Sequence, residues 1–446
     1  MIQPIIFLVL TTVASFYAYR GYRRVWQNIQ LGKPEVIEGY GNTRVRNLLL
    51  VAFGQKKMFK DLLPAIFHAF IYVAFIVTQI ELLEIVVDGL TGHHRVFAEA
   101  LGGFYTLVIS KIEVLSVLAL VATLAFLTRR NLLTIPRFQK PELDGFPRRD
   151  ANRILFGELL LIVGIFSMNG AYSVLQIRLP EEFPQAGFFA ISGWLGPLLF
   201  GGLSDSALFA IERFGWWLHY LVVLGFLAYL PYSKHLHIVL AFFNVWFQRQ
   251  KPRGEMENMP VIMNEVKSMM GLTEPTEEST DVPEFGAKDV FDLSWKTLLD
   301  AYTCTECGRC TANCPANLTG KKLSPRKIMM DIRDRMEEVG QNIAEGKFLT
   351  MPEGGSTSAR LPYDDGKSLF DYISREEIHA CTTCNACVEA CPVLISPLEP
   401  ILELRRYEIL TEATGPSEWV PMFTSIENSG AVWQMPEERA AWAHNA

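Results

Sequence analysis

The sequence predicts a mainly α-helical protein in two parts, a bundle of five transmembrane helices and then a smaller helical domain beyond the membrane. Three observations predict it. Five apolar runs, at about 4–19, 62–87, 104–127, 154–177 and 208–232, approach the roughly 20 residues that a helix needs to cross a bilayer. Near residue 250 the composition changes, and polar, Pro-containing stretches replace the apolar runs. All eight cysteines lie beyond that change, at 304–314 and 381–391. Strand signals are weak throughout.

Composition narrows the class further. Half of the 446 residues are apolar, which is high for a soluble protein and points to membrane spans, and the length suits two or three domains. The net charge is −7, and no Lys/Arg-rich tract alternates with aromatics, so nothing indicates a nucleic-acid partner. Eight cysteines gathered in two short clusters are unlike a secreted disulfide framework. They suit a reducing compartment in which thiolates bind metal.

The loops set the expected orientation. In "MIQPIIFLVLTTVASFYAYRGYRR" the charges Arg20, Arg23 and Arg24 follow the apolar run, and no small-residue cleavage site is evident. This reads as a retained first span with its N-terminus outside, not a secretory signal. Residues 20–60 and 128–153 are rich in Lys and Arg, whereas 88–103 and 178–207 hold only Arg95 and Arg178. The positive-inside rule then places the two basic loops and the long C-terminal region in the cytoplasm, with the bundle in a bacterial or archaeal cytoplasmic membrane. Trp216, Trp217 and Tyr220 near one end of span five, with Tyr232 and Trp246 near the other, fit aromatic belts.

Beyond the bundle, residues 251–290, with "TEPTEEST", read as a linker carrying one short helix around 260–271. A soluble domain is expected over 291–413 and a tail over 414–446. Within the domain, Ser324-Pro325 opens a helix, with Ser as N-cap and Pro in the first turn, and Gly340 is the candidate terminator. Ser396-Pro397 recurs after the second cysteine cluster, ahead of "LEPILELRRYEIL". The domain therefore reads as a twofold pseudo-repeat of cysteine cluster, Ser-Pro and helix.

"CTECGRCTANCP" supplies Cys304, Cys307, Cys310 and Cys314, and "CTTCNACVEACP" supplies Cys381, Cys384, Cys387 and Cys391. Both are C-x2-C-x2-C-x3-C-P. Three thiolates at this spacing wrap one face of a cubane, and in two-cluster ferredoxins the fourth ligates the other cluster. The expected sets are Cys304, Cys307, Cys310 and Cys391 for one [4Fe–4S] cluster, and Cys381, Cys384, Cys387 and Cys314 for the other. Zinc is the bland alternative, but it takes two CxxC pairs to one tetrahedral ion, a poor match to two identical four-cysteine runs. Sixty-six helical-patterned residues separate Cys314 from Cys381, more than a minimal bacterial ferredoxin uses. On "WKTLLDAYTCTECGRCTANCPA" and "HACTTCNACVEACPVLISP" the region resembles the helical dicluster ferredoxins of heterodisulfide reductases and of anaerobic glycerol-3-phosphate dehydrogenases. That resemblance implies a cytoplasmic redox partner with CCG-type cysteines or a flavin, since no Cys-Cys-Gly occurs in this sequence.

Histidines mark the bundle. His219 and His237 are 18 residues apart, five helical turns, so both project from one face about 27 Å apart along the axis. His68 lies in span two soon after Asp61. An imidazole in lipid needs a partner or a metal; the bland reading is an interfacial histidine bonded to headgroups, which is the expectation for His235. With "PYSKHLH", the pattern resembles the gamma subunit of respiratory nitrate reductase and the related cytochrome b subunit of heterodisulfide reductase. The resemblance implies five spans and haem b held between spans two and five. It pairs His68 with His219, and sets Met58, where the family has histidine, opposite His237. One haem b is expected, and a second only if the thioether of Met58 serves as a ligand.

Acidic residues in the spans suggest quinone or proton chemistry. Glu81, Glu84 and Asp88 share roughly one face of span two, and Lys111 and Glu113 lie in span three. A structural Glu84–Lys111 ion pair is the bland alternative. His93 and His94 are expected to be exposed, and His379 is either a surface residue or a tuner of the nearby cluster. The expected function is that of a membrane-anchored subunit passing electrons between a cytoplasmic partner, two [4Fe–4S] clusters, haem b and the menaquinone or ubiquinone pool. The rivals are a non-haem anchor for the ferredoxin and a redox-coupled proton or ion translocator.

Overall fold

The computed structural model describes residues 2–252, 254–256, 258–273, 284–349, 363–433 and 440–444. Most of "TEPTEEST" lies outside these. In lipid a backbone must satisfy its own hydrogen bonds, so long apolar runs fold as helices. Among the described residues five helices are long and apolar enough to cross a membrane: α1 (Ile2–Ile29), α2 (Leu62–Thr91), α3 (Gly103–Asn131), α4 (Phe146–Arg178) and α5 (Asp205–Tyr229). They run past the expected apolar stretches because charged residues end a hydropathy signal without ending a helix. Backbone chemistry ends the helices instead. Gly92, at φ +77°, terminates α2 in the left-handed conformation. A 3-10 turn containing Pro231 closes α5, since proline lacks the N–H that would continue it.

The tightest packing joins α4 and α5. A Cβ on Gly215 would stand 2.5 Å from the Met168 nitrogen and 2.7 Å from the Gly164 oxygen, so only glycine lets these backbones meet. The aromatic group of span five does not form a lipid-facing belt. Trp216 and Tyr220 are buried, Phe7 stacks on Tyr220 with ring centroids 4.4 Å apart, and the Tyr220 hydroxyl meets Thr11 Oγ1 at 2.6 Å. These residues pin α1 to α5.

After α5 the chain continues through α6 (His237–Trp246) and α7 (Pro260–Met269) into the helical domain, with α8 (Trp295–Thr303), α9 (Pro325–Ala344), α10 (Leu398–Arg406) and α11 (Trp419–Ser429). The described residues contain only isolated β-bridges, Lys33 with Ser294 and Leu349 with Tyr363. The domain core begins earlier than 291: Ala287 and Val290 are fully buried, and the Ala287 N–H reaches Glu403 O at 2.9 Å. A burial pattern that short is invisible beside a polar linker. Ser324 caps α9 as expected, but α9 runs through Gly340. A Cβ there would lie 2.0 Å from Asn28 Oδ1, so this glycine admits the end of α1 and does not stop the helix.

The domain is seated on one end of the bundle. Val25 and Ile29 of α1, with Leu236 and Leu240, belong to the same apolar core as α8, α9 and α10. Asn28 Nδ2 donates to the Tyr302 hydroxyl at 2.8 Å. Buried Lys296 donates to Asn244 Oδ1 at 2.9 Å and to Asp300 at 2.7 Å, Arg326 pairs with Glu142 at 2.8 Å, and Lys234 pairs with Glu306.

Candidate metal centres and a buried polar cluster

The two cysteine loops share one backbone signature. Two and four residues after the first cysteine, Glu306 (φ +55°) and Gly308 (φ +71°) match Thr383 (φ +56°) and Asn385 (φ +60°), all left-handed. Alternating conformations of this kind turn successive N–H groups to one side, making a nest for an anionic group. The Thr383 N–H reaches Cys381 Sγ at 3.4 Å, and the Ile395 N–H reaches Cys391 Sγ at 3.3 Å.

The fourth cysteine of each loop lies beside the cysteines of the other loop. Cys314 lines a small pocket with Cys381, Cys384 and Cys387, roofed by Leu323, Leu398 and Ile401. Cys310 lies in the electrostatic field of Cys307, Cys304 and Cys391, and then of Cys387. Burial, and then repulsion from Cys307, pushes the Cys391 thiol up to about 12; burial, and then Cys381, does the same for Cys387. Sulfurs crowded this way cannot all ionise without a cationic group among them, the electrostatic condition a metal cluster satisfies. Among the described residues no three donors converge on a single ion. Cys384 is exposed, whereas Cys304, Cys314, Cys387 and Cys391 are buried. His379 is taken by Glu408, at 2.8 Å from Nε2, and by the Trp419 ring, not by a cysteine sulfur.

His219 and His237 do not share one helix face, because α5 ends at Tyr229 and α6 begins only at His237 after two 3-10 turns. His68 lies in the field of His237 and Arg309, near the seat of the domain. His219 faces α4: its Nδ1 meets Leu161 O at 3.2 Å, and its backbone abuts Gly164. His68 and His237 also hold Nδ1 against an oxygen, Gln55 Oε1 at 3.0 Å and Lys234 O at 2.9 Å. An oxygen acceptor fixes the proton on Nδ1 and leaves Nε2 with its lone pair free, the arrangement metal-ligating histidines use. His235 differs, because its Nδ1 is buried without a partner. Its ring lies 5.7 Å from Phe226 and 5.8 Å from His237, so it points inward and not at headgroups. The contact of Met58 is through its carbonyl, which accepts from Arg309 Nη1 and Nη2 at 3.3 and 3.2 Å; it sits in a 3-10 turn ahead of α2.

At the end of the bundle remote from the domain is a buried polar cluster centred on Arg95. Arg95 Nη1 donates to the Tyr105 hydroxyl at 2.8 Å, Nη2 donates to Asn169, and the guanidinium lies 4.2 Å over the Tyr172 ring. Tyr105 in turn donates to Glu84 Oε2 at 2.7 Å. Asp88 accepts the N–H groups of Arg95 and Val96, at 2.8 and 3.2 Å. Glu113 accepts from Asn169 Nδ2 and from the N–H groups of Ile191 and Ser192. Lys111 is exposed and takes no part. Two residues from Glu113, it projects from nearly the opposite side of α3, so the expected pair with Glu84 does not form. Arg95 replaces it, and the signal was available: it is one of two arginines in loops otherwise free of basic residues. The other, Arg178, is likewise engaged, with Asp205 at 2.9 Å. His94, expected in solvent, is partly buried against Arg213 and Trp216. Sequence reasoning passed over Glu158, which accepts from Thr123 at 2.9 Å inside α4.

A family model for the 4Fe-4S dicluster domain matches residues 303–395. The whole chain is 31% identical to the probable iron-sulfur-binding oxidoreductase FadF of Bacillus subtilis, covering 61% of that protein. Over 90% of its length it is 27% identical to the EtfAB:quinone oxidoreductase of Syntrophomonas wolfei, covering 54% of it. A quarter of the chain is 29% identical to one of the subunits of the ferredoxin:CoB-CoM heterodisulfide reductase of Methanosarcina mazei, covering 48% of it. The chain thus spans 61% and 54% of the length of the Bacillus and Syntrophomonas relatives. No solved structure matches it. The chain carries a dicluster iron–sulfur domain beside five helices fit to span a membrane, and it is homologous to iron–sulfur oxidoreductases.

Proposed function

We propose that the chain is a membrane-anchored electron-transfer unit joining a flavoprotein or CCG-type iron–sulfur partner to the quinone pool. The observation that carries this reading is the seating of the dicluster domain. Its first cysteine loop lies against the bundle, where Arg309 grips the carbonyl of Met58 and stands in the field of His68. The second loop turns Cys384 to solvent. This order suits a relay in which the partner docks at the Cys384 face. Cys381, Cys384, Cys387 and Cys314 would hold the outer [4Fe–4S] cluster, and Cys304, Cys307, Cys310 and Cys391 the inner one. When bound, such clusters and haem b supply one-electron transfer.

For haem b, His68 and His237 are the favoured pair, because His68 lies in the field of His237 and both Nδ1 atoms are anchored. His219 is the candidate ligand of a second haem deeper in the bundle, and Met58 is set aside. The name of the Syntrophomonas relative, an EtfAB:quinone oxidoreductase, supports an electron-transferring flavoprotein as donor and quinone as acceptor. Quinone chemistry is assigned to the remote end, among Glu81, Glu84, Asp88 and Arg95. The basic loops support a cytoplasmic position for the domain at a bacterial or archaeal cytoplasmic membrane, with the N-terminus outside.

The test is to purify the protein in mild detergent with its co-purifying subunits, and to record iron–sulfur EPR and pyridine-haemochrome spectra. Two [4Fe–4S] signals, a b-type spectrum lost in H68A and H237A, and quinone-analogue reduction by a reduced flavoprotein are expected. Intact clusters with no b-type spectrum would leave only a ferredoxin anchor.

A further inference from the structure

Three of the four carboxylates gathered about Arg95 are fully employed. Glu84, Asp88 and Glu113 each receive hydrogen bonds on both oxygens, from Tyr105, from Asn169 or from backbone N–H groups. Glu81 is the exception. It is 2% exposed, and neither of its carboxyl oxygens has a hydrogen-bond partner. The charged groups around it are Glu84 on its own helix, Glu113 on α3 and Arg95 from the connection between α2 and α3; α4 presents the neutral Asn169, which bridges Arg95 and Glu113.

Charge counting sharpens the contrast. Glu81, Glu84, Asp88 and Glu113 gather about one guanidinium in the bundle interior, where unsupported charge is costly. The three that accept N–H and O–H donors have their negative charge supported. The one that accepts none has no such support, and it is the group for which carrying a proton relieves the most.

We propose that Glu81 is the proton-exchanging residue of this end of the bundle, handing protons to a bound quinone and recovering them from the remote face. This rests on the quinone reading above and adds the acid it needs. Reducing one quinone takes two electrons, which arrive singly from the metal centres, and two protons. In each transfer the carboxyl O–H bond of Glu81 breaks, an O–H bond to a quinone oxygen forms, and the carboxylate left behind stands in the field of Arg95 only until it takes up a proton. Uptake of one proton from water at the remote face restores the acid, and two such cycles complete the hydroquinone. Glu84, Asp88 and Glu113 are positioning residues that hold Arg95 and the connecting loops in place.

The experiment uses the full chain with its co-purified subunits and a short-chain quinone analogue. E81Q keeps the shape and removes the exchangeable proton. The expected result is a loss of about 10²–10⁴-fold in quinone reduction, the range general acid catalysis supplies, with cluster EPR and haem spectra unchanged. The wild-type rate should fall as pH rises through the titration of the acid, whereas the E81Q rate should be flat with pH. Small weak acids such as formate should partly restore E81A, which a merely structural role would not allow. Infrared difference spectra should show a protonated-carboxyl band in the wild type that is missing in E81Q. E81Q turning over at the wild-type rate with the wild-type pH profile would overturn the proposal. A wild type that shows the E81Q-sensitive band but reduces no quinone would sink the quinone reading, and the assigned role with it, on separate grounds.

Discussion

Arg335 shows how much one residue can carry. Its side chain is fully buried, with Asp289 and Asp365 each at 2.6 Å. Removing one partner of a buried ion pair strands charge in low dielectric, so R335M should cost about 3–5 kcal/mol of domain stability, read by chemical unfolding with the clusters intact. Burial alone would raise the Asp365 carboxyl, but hydrogen bonds from Arg335 and Tyr363 hold it well below the usual carboxylate range. A depressed folded-state pKa stabilises above the unfolded value of about 3.9 and loses that contribution as pH falls through the folded value. The gap in melting temperature between wild type and D365N should therefore be full at pH 7 and narrow only below about pH 4. A gap that is constant down to pH 3 would refute it. None of this was legible beforehand: Asp289, Arg335 and Asp365 are ordinary charges in a sequence rich in them, and only folding brings the three together. The cysteines were fully legible, because their spacing is local and their chemistry allows few alternatives.

At the scale of elements, the pseudo-repeat makes a crossed prediction. C314S lies in the first loop but should broaden or abolish the EPR signal of the cluster on the 381–387 loop, and C391S should do the reverse. Each variant damaging its own loop's cluster instead would overturn the exchange. The helix pair α4–α5 makes another. G215A forces a methyl against backbone atoms at 2.5 and 2.7 Å, and overpacking of this kind costs about 1–3 kcal/mol. A lower melting temperature in detergent and a change in any His219-dependent optical signal should follow. The five apolar elements were plain in the sequence because a bilayer demands length. Their true ends were not, since Arg20, Arg23 and Arg24 interrupt hydropathy while α1 continues to Ile29. Gly340 misled for a related reason: a glycine that ends a helix and one that admits a neighbouring helix look the same in one dimension.

For the whole molecule, the decisive feature is that the domain does not hang from a tether. Residues of α1, of the 137–142 segment and of 234–249 pack against it or hydrogen-bond to it. R309M, which removes the grip on the carbonyls of Lys57 and Met58, should slow reoxidation of the reduced clusters by a quinone analogue several-fold. Cluster EPR line shapes should be retained. An unchanged reoxidation rate would mean that this contact lies off the electron path.

By itself the sequence determined the class of this protein: five helices for a membrane, a helical dicluster domain after them, and eight cysteines at fixed spacing. Those are consequences of local periodicity, segment length and ligand chemistry, which act over tens of residues. Only the tertiary structure decided which groups meet. It set His68 in the field of His237 and His219 against α4, gave Arg95 the place expected of Lys111, and left Glu81 without a donor among the Arg95-linked carboxylates that have them. Burial and pairing depend on which helix faces which, and that is set by glycine contacts, ring stacking and the seat of the domain, none of which repeats along the chain.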